Sequence, residues 1–358
     1  MSKSKAPDTS SVPVLPPEQR VPKHNSESSI ESKVSAHIRR LRETLLTYIG
    51  VSTVLIGILI YFGINDEAFI STSNLTNVLQ TNAVLLLAAV GVTFTLLVGG
   101  FDLSVGGVIA LSSVVLVKLV NGGMPDAIAI AIVVIGAGLF GTIVNGILIA
   151  KAGVNFFVVT LGTSAITLSL ALALSNGATI SFERGGGFIR DIGSQQWGFM
   201  PVSALIALCA LVLGIMLLRY TGFGRLVYAV GGNPEAARLS GINVSGIKMS
   251  AYGISALLAG VGGVIATGFL ASASATSNTG IELTAAAAVL LGGTSFIGGV
   301  GTLLGTFLGV TFLAVLANGL TLSEIPTFYS GLVTGVVLVL SVTLDRYRQL
   351  RVERRGGS

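Results

Sequence analysis

The chain has 358 residues, of which 52% are hydrophobic and only 10% are charged, and its formal net charge is +5 at pH 7. A soluble domain carries about 25% charged residues, so this composition excludes an ordinary soluble protein and indicates an integral membrane protein. The nearly uncharged runs of about 18 residues or more predict membrane-spanning helices, because barrel strands would alternate in polarity at every second residue.

The chain begins with a polar segment rich in Ser, Pro and Lys. Residues 1–43 have too few apolar side chains to form a core, which predicts a disordered cytoplasmic tail. The first apolar run begins near Leu45, behind three arginines, and lacks a cleavage site of small residues. We therefore expect this run to remain in the protein as a membrane anchor.

Apolar stretches follow one another through residues 44–345, which predicts an all-α transmembrane domain of about ten helices. The second and third spans are separated by Gly99, Gly100 and Asp102, which predicts a broken or re-entrant helix at that point. The predicted spans are 45–64, 76–98, 103–121, 126–150, 154–175, 199–218, 248–270, 281–297, 302–320 and 328–344.

The distribution of positive charge predicts the orientation of these spans. With both termini in the cytoplasm, only Lys118, Arg184 and Arg190 of the 21 Lys and Arg residues fall on the outer side. Because cytoplasmic loops carry an excess of Lys and Arg, this orientation is favoured. It makes the basic residues of the C-terminal tail, 346–358, a topology signal and gives no reason to expect nucleic-acid binding.

Two internal echoes predict a pair of inverted five-helix repeats. The stretches 145–162 and 318–335 both begin with Asn-Gly and end with Gly at the same spacing, and "LLVGG" before Phe101 resembles "VLLGG" before Thr294. We expect the two copies to face opposite ways across the membrane. Inverted repeats are typical of transporters, whose pathway lies at the interface between the repeats.

Few side chains in the chain can perform chemistry. Cys209 is the only cysteine, both histidines lie in the N-terminal tail, and no cluster of His, Cys, Asp and Glu has the composition of a metal or nucleophile site. The sequence also lacks a phosphate-binding G-x-x-x-x-G-K-[ST] loop. We therefore predict no metal, no cofactor and no enzymatic activity.

The spans carry mainly neutral polar side chains, which suit a neutral polyhydroxylated solute. For each of them, helix–helix hydrogen bonding is the competing interpretation. The buried charge of Asp102 either caps the third helix through amides near Ser104 and Val105 or acts directly on a substrate or proton. The candidate pathway residues are Gln80, Asn82, Asp102, Asn145, Thr160, Ser164, Thr284 and Asn318.

The polar loop 219–247 contains a short segment, "NPEAARLSG", that has the signals of a complete helix. Asn233 is a good N-cap, Pro234 suits the first helical position, and Gly241 can adopt the left-handed conformation that ends a helix. Ala236 and Ala237 are small enough for close approach by a partner, while Glu235 and Arg238 offer charged contacts. The segment is either a lever gripped by a cytoplasmic partner or a turn without a partner. Its residues are Asn233, Pro234, Glu235, Ala236, Ala237, Arg238, Leu239, Ser240 and Gly241.

The segment "GRLVYAVGGNPEAARLSGINVSGIKMSAYGISALLAGVGG" (224–263) resembles the coupling-loop region of permease subunits of ABC importers for ribose, xylose, galactose and related monosaccharides. "GGFDLSVGGVIAL" (99–111) is similar to the same family's Gly-Gly-Ile-Asp-Leu-Ser-Val-Gly motif, with Phe101 in place of the usual Ile. "LLGGTSFIGGVGTLLGT" (290–306) matches as well, and the resemblance covers most of residues 45–344. The two tails carry no motif of the family.

This resemblance implies a multi-pass permease in the bacterial inner membrane, paired with a second permease copy and surrounded by lipid. It also implies a cytoplasmic ATPase, which would hold the 233–241 helix in a cleft, and an extracytoplasmic sugar-binding protein. The permease itself would not be the catalyst. An importer of another small solute, such as a nucleoside, a polyol or a signalling furanose, and a stand-alone carrier or channel are the alternatives.

Overall fold

The computed structural model describes residues 49–326, 329, 331–337 and 339–343. The predicted tails, 1–43 and 346–358, lie outside the described residues, as do the first residues of the first predicted span and the last residue of the tenth.

The described structure is almost entirely helical. Helix α5 continues through one π-helical turn, Gly141–Asn145, into α6. The helices are α1 Ile49–Asn65, α2 Thr72–Thr81, α3 Ala83–Leu97, α4 Val105–Asn121, α5 Asp126–Phe140, α6 Gly146–Ala150, α7 Phe156–Ser175, α8 Gly187–Ser194, α9 Val202–Tyr220, α10 Gly222–Gly232, α11 Pro234–Leu239, α12 Val244–Leu270, α13 Ile281–Leu291, α14 Leu303–Leu322 and α15 Gly331–Thr343.

Among the described residues, five helical segments are long and apolar enough to cross a membrane, or six if the bent pair α2–α3 is counted as one span. They are the continuous segment Asp126–Ala150, formed by α5, the π-helical turn and α6, and the helices α7, α9, α12 and α14. Four shorter apolar helices, α1, α4, α13 and α15, occupy other predicted spans. The chain is thus a helical protein with several membrane spans, and the count of ten remains a prediction.

Two predicted spans differ from the helices that form. The span 76–98 is not a single straight helix, because α2 and α3 meet at Asn82 with a bend of 41°. The span 281–297 is too long, since α13 ends after 11 residues at Leu291. Gly293, with φ of 87°, follows this end and turns the chain out of the helical direction.

The core forms around α3 and α12. All 15 residues of α3 are buried, as expected for a helix that is apolar on every side. Helix α12 has 27 residues and packs against α3, α4 and α5. Small residues bring neighbouring helices close together. A side chain at Gly141 would overlap Ala256 of α12, and one at Gly309 of α14 would overlap the carbonyl of Ala288 in α13.

Two short antiparallel strand pairs join the loops. Strand β1 (Ile180–Ser181) pairs with β4 (Ser272–Ala273), which follows α12. Strand β2 (Gln196–Trp197) pairs with β3 (Met200–Pro201) to form a hairpin that leads into α9. Neither these strands nor α8 was predicted from the sequence.

One of the two internal echoes corresponds to two helix ends that lie near each other. Helices α3 and α13 end with the same backbone pattern, in which the amides of Gly99 and Gly293 bond to the carbonyls of Leu96 and Leu290. The amide of Gly299, in the loop after α13, also donates to the carbonyl of Leu97. The C-terminal ends of both helices therefore lie close together, and the opposite direction of the two copies remains a prediction. The Asn-Gly echo and the inverted repeat remain predictions.

Candidate functional site

Helix α11 has both of the ends that the sequence predicts. The Asn233 side chain accepts a hydrogen bond of 2.9 Å from the amide of Ala236, and Pro234 occupies the first turn. At the other end, the amides of Gly241 and Ile242 donate to the carbonyls of Arg238 and Ala237. With φ of 79° at Gly241, this is a Schellman motif. Because both ends are capped by hydrogen bonds, the short helix begins and ends at defined residues.

The two alanines of α11 have different surroundings. Ala236 is exposed, whereas Ala237 is only 5% exposed and packs into the protein's own core. The expectation that Ala237 offers close approach to a partner is therefore wrong. Leu239 replaces it as the residue of interest, because its side chain is 79% exposed on a six-residue helix. This side chain is therefore accessible to another protein surface.

A charge pair lies on the same exposed surface. Nη2 of Arg238 is 2.7 Å from Oε1 of Glu235, and Nε donates to Oε2 at 3.2 Å. The hydrogen bonds and charge of Arg238 lower the pKa of Glu235, and those of Glu235 raise the pKa of Arg238. Both groups are therefore charged at neutral pH. The exposed face of α11 thus combines Leu239 with a fixed carboxylate–guanidinium pair.

Four glycines bring the end of α10, which leads into α11, against the end of α3 and the loop after α13. We call Gly99, Gly231, Gly298 and Gly299 the glycine junction. A side chain at Gly231, the penultimate residue of α10, would overlap the carbonyl oxygen of Leu97 and lie 2.5 Å from the amide of Gly299. A Cβ at Gly298 would lie 2.7 Å from the amide of Gly99. Only glycine permits three backbone segments to approach this closely.

Asp102 lies in the break between α3 and α4 and is completely buried. Its Oδ1 accepts from the amide of Ser104 at 2.9 Å and from Oγ of Ser104 at 2.6 Å, and its Oδ2 accepts from Oγ of Ser255 at 2.8 Å. Nδ2 of Asn145 donates to Oγ of Ser104 at 2.8 Å. We call Asp102, Ser104, Asn145 and Ser255 the Asp102 network.

The network supports a structural role for Asp102 ahead of α4, although Ser104 is the N-cap residue and no side-chain hydrogen bond within the described residues caps that helix end. The bond to the Ser104 amide is the predicted contact at the start of α4. The bond to Ser255, which lies 153 residues away on α12, ties the break to the central helix. Asn145, in the π-helical turn, is buried, and its Oδ1 has no hydrogen-bond partner in the described part of the chain. The network therefore joins four elements at the break.

The carbonyl of Phe101 is the second fixed group at the break. Oγ1 of Thr160, in α7, reaches this oxygen at 3.4 Å and the carbonyl of Phe156 at 2.9 Å. The hydroxyl of Tyr252, in α12, lies 3.5 Å from the Phe101 carbonyl. Of the eight candidate pathway residues, the structure thus brings together Asp102, Asn145 and Thr160.

The other five candidates lie apart from the break. Gln80 donates to the carbonyl of Gly193 at 2.7 Å, and Asn82 donates to Val78 within its own bend. Asn318 and Asn74 exchange two amide hydrogen bonds of 2.8 and 2.9 Å. Ser164 and Thr284 are half-buried, and Thr284 bonds to the carbonyl of Gly280. Most candidates therefore already bond to other groups of the permease, as the helix-packing interpretation predicts.

Sequence reasoning missed several residues of this region. The amide of Ser104 was predicted as a partner of Asp102, but its hydroxyl was missed, although a Ser two residues after an Asp is well placed to donate to the carboxylate. Ser255, Tyr252 and Gly231 carry no local signal, since their partners are distant in the sequence. Among the described residues, no group of three or more His, Cys, Asp or Glu could hold a metal ion.

Comparisons with known proteins give the chain a family. A family model described as branched-chain amino acid transport system / permease component matches residues 74–342. The ribose import permease protein RbsC of Bacillus subtilis (strain 168) is 38% identical over 294 residues, which cover 81% of this chain and 89% of that protein. No solved structure matches the chain significantly.

Two further relatives come from Escherichia coli (strain K12). Its ribose import permease protein RbsC is 36% identical over 78% of this chain and 88% of that protein. Its D-allose transport system permease protein AlsC is 34% identical over 83% of this chain and 91% of that protein. Together with the apolar helices, these similarities show that the chain is a multi-pass membrane permease and not an enzyme, and that it belongs to the family of branched-chain amino acid transport system / permease components.

Proposed function

We propose that this chain is the permease subunit of an ABC importer for a monosaccharide such as ribose or xylose. The observation that carries the proposal is the similarity to a ribose import permease over 81% of this chain and 89% of that protein. The neutral polar side chains near the break and at the ends of the helices suit an uncharged, hydroxyl-rich solute. An import permease without its own phosphate-binding loop takes its energy from a separate subunit.

The proposed assembly has a cytoplasmic ATPase, an extracytoplasmic sugar-binding protein and a second permease copy. It lies in the bacterial inner membrane, with residues 1–43 and 346–358 as cytoplasmic tails flanking the permease domain, 44–345. The charge distribution of the sequence supports this orientation.

Helix α11 is the proposed contact with the ATPase. Leu239 supplies an exposed apolar group, and the Glu235–Arg238 pair supplies a rigid polar contact beside it. Apolar groups at the centre of an interface contribute most of the binding free energy when water is excluded around them. Asn233 and Gly241 fix the ends of the helix, while Ala237 anchors it to the permease.

The glycine junction supports a specific route for motion from α11. Gly231 lies immediately before Gly232 and Asn233, so a displacement of α11 acts first on the contact between Gly231 and Leu97. From there it reaches the end of α3 and the loop at Gly298 and Gly299. Backbone segments in direct contact transmit such a displacement, because closely packed protein interiors are hardly compressible and no flexible side chain lies between the segments.

We assign the candidate pathway residues two roles. Asp102, Asn145 and Thr160 are completely buried and hold the break in shape, so they affect transport through its geometry. The partly buried residues are assigned to surfaces that solute reaches when the helices part; these are Gln80, Asn82, Ser164, Thr284 and Asn318.

The experiment that tests the proposal reconstitutes the permease in lipid vesicles with a cytoplasmic ABC ATPase and a sugar-binding protein from its own genome. We expect D-ribose, D-xylose or D-allose to stimulate ATP hydrolysis and to accumulate in the vesicles only when all components are present. Equal sugar flux without ATPase and ATP would show a stand-alone carrier and refute the importer.

A further inference from the structure

A polar recess lies between α2 and the β2–β3 hairpin. It has a volume of about 530 Å³, which is within the range of small-molecule sites. None of its lining residues is titratable. Its lining includes Thr72, Ser73, Asn77 and Gln80 of α2, and Gln196 and Phe199 of the hairpin.

The walls of the recess are held by hydrogen bonds. Oγ1 of Thr76 donates to the carbonyl of Phe199 at 3.1 Å, which fastens the hairpin to α2. Nε2 of Gln80 donates to the carbonyl of Gly193 at 2.7 Å, which fastens α2 to α8. Two of the lining side chains, Thr76 and Gln80, are thus engaged in holding α2 against the hairpin and α8.

Several polar side chains of the lining remain available to a ligand. All are exposed, and within the described part of the chain their side chains make no hydrogen bond; they are Thr72, Ser73, Asn77 and Gln196. Hydroxyl and amide groups both donate and accept hydrogen bonds, as sugar hydroxyls do. The Phe199 ring, in a residue 64% exposed, adds an apolar face for the C–H side of a ring-shaped solute.

The chemistry of the recess excludes other classes of solute. An ionic solute would lose water without meeting an opposite charge, and an apolar solute would leave the amides of Asn77 and Gln196 unpaired. The polar segment around α2 and the loop that contains the hairpin both belong to the side that the charge distribution predicts to be extracytoplasmic. The recess thus faces the side from which an importer receives its solute.

We infer that this recess is an entry site for a neutral sugar, in which Asn77 and Gln196 bond to the sugar hydroxyls and Phe199 covers one face of the ring. The sugar class rests on the proposed function. The recess is an outer waiting position, separate from the Asp102 network at the break.

The test compares two glutamines that are neighbours in the sequence. Gln196 lines the recess, whereas Gln195 is exposed and does not. Gln196→Leu and Asn77→Leu are each expected to raise the KM for uptake of labelled D-ribose about fivefold or more, the usual effect of losing one or two hydrogen bonds. Gln195→Leu, the matched control, is expected to leave the KM within about twofold of wild type. The assay uses the complete transporter in lipid vesicles, with D-allose and D-xylose as further probes.

A second measurement separates the sugar from its delivering protein. The affinity of the sugar-free binding protein for each permease variant is expected to equal that for wild type. If Gln196→Leu and Asn77→Leu weaken this affinity in parallel with uptake, the recess is a protein-docking surface and the entry site is refuted. Equal KM values for Gln195→Leu, Gln196→Leu and Asn77→Leu would refute it as well. If the wild-type assembly transports none of the three sugars, the proposed function itself fails.

Discussion

Oδ2 of Asp102 accepts a hydrogen bond of 2.8 Å from Oγ of Ser255, although the two residues are 153 positions apart. The bond joins the break after α3 to the middle of the central helix α12. Since the other carboxylate oxygen bonds to Ser104 at the start of α4, one side chain fixes three elements. This arrangement makes Asp102 the most informative single position for separating structural from transport roles.

Replacing Asp102 tests whether its oxygens or its charge matter. Asp102→Asn keeps an oxygen acceptor and is expected to lower stability by about 1 kcal/mol or less, whereas Asp102→Leu strands three donors and is expected to lower it by at least about 2 kcal/mol. Thermal unfolding in detergent measures both variants. A well-folded but inactive Asp102→Asn protein would show that the charge acts directly in transport.

Substitutions on α11 separate its two faces. Leu239→Ala is expected to leave folding unchanged, because the side chain is 79% exposed, and to reduce co-purification of the ATPase about tenfold. Leu239→Met, which keeps an apolar contact, is the control and should behave as wild type. Normal ATPase binding by Leu239→Ala would show that α11 is only an ordered turn.

Ala237→Trp tests whether Ala237 faces the core of the permease. Because Ala237 packs into the permease core, the larger side chain is expected to lower the yield of folded protein by overpacking before any effect on a partner arises. Size-exclusion chromatography in detergent measures this yield. A folded Ala237→Trp variant that loses only ATPase binding would contradict the assigned orientation of the helix.

Two adjacent glycines test the glycine junction. A methyl group at Gly231 would overlap the carbonyl of Leu97, whereas one at Gly232 would meet no atom of the described residues within 4 Å. Gly231→Ala is therefore expected to lower folded yield or to uncouple ATP hydrolysis from uptake, while Gly232→Ala should be neutral. Equal uptake per ATP and equal yield for the two variants would refute the junction as a route of motion.

Thiol labelling tests the orientation. In a Cys209→Ser background, an impermeant reagent is expected to label Gln195→Cys in intact cells and to label Ser240→Cys only after lysis. Gly186 is a poor reporter of the outer side, because its φ is 71° and a side chain there would lie 2.6 Å from the Phe182 ring. Labelling of Ser240→Cys in intact cells would reverse the orientation.

Local chemistry explains which features were predictable. Asn233, Pro234 and Gly241 define α11 through contacts within a few residues, so the sequence located both ends correctly. Gly99 and Asp102 likewise predicted the break between α3 and α4. The end of α13 was missed because the apolar run continues beyond Gly293, and an apolar pattern by itself does not specify where a helix stops.

By itself, the sequence determined that this protein is an apolar helical membrane protein, that a helix breaks between Gly99 and Asp102, and which loop carries a short capped helix. These features follow from hydrophobicity and backbone preferences, which act over one or two turns. Only the tertiary structure decided that Asp102 bonds to Ser255, that Ala237 is buried while Leu239 is exposed, and that Gly231 meets Leu97 and Gly299. Each of these depends on which helix faces are brought together, and packing between distant segments leaves no pattern within any one of them.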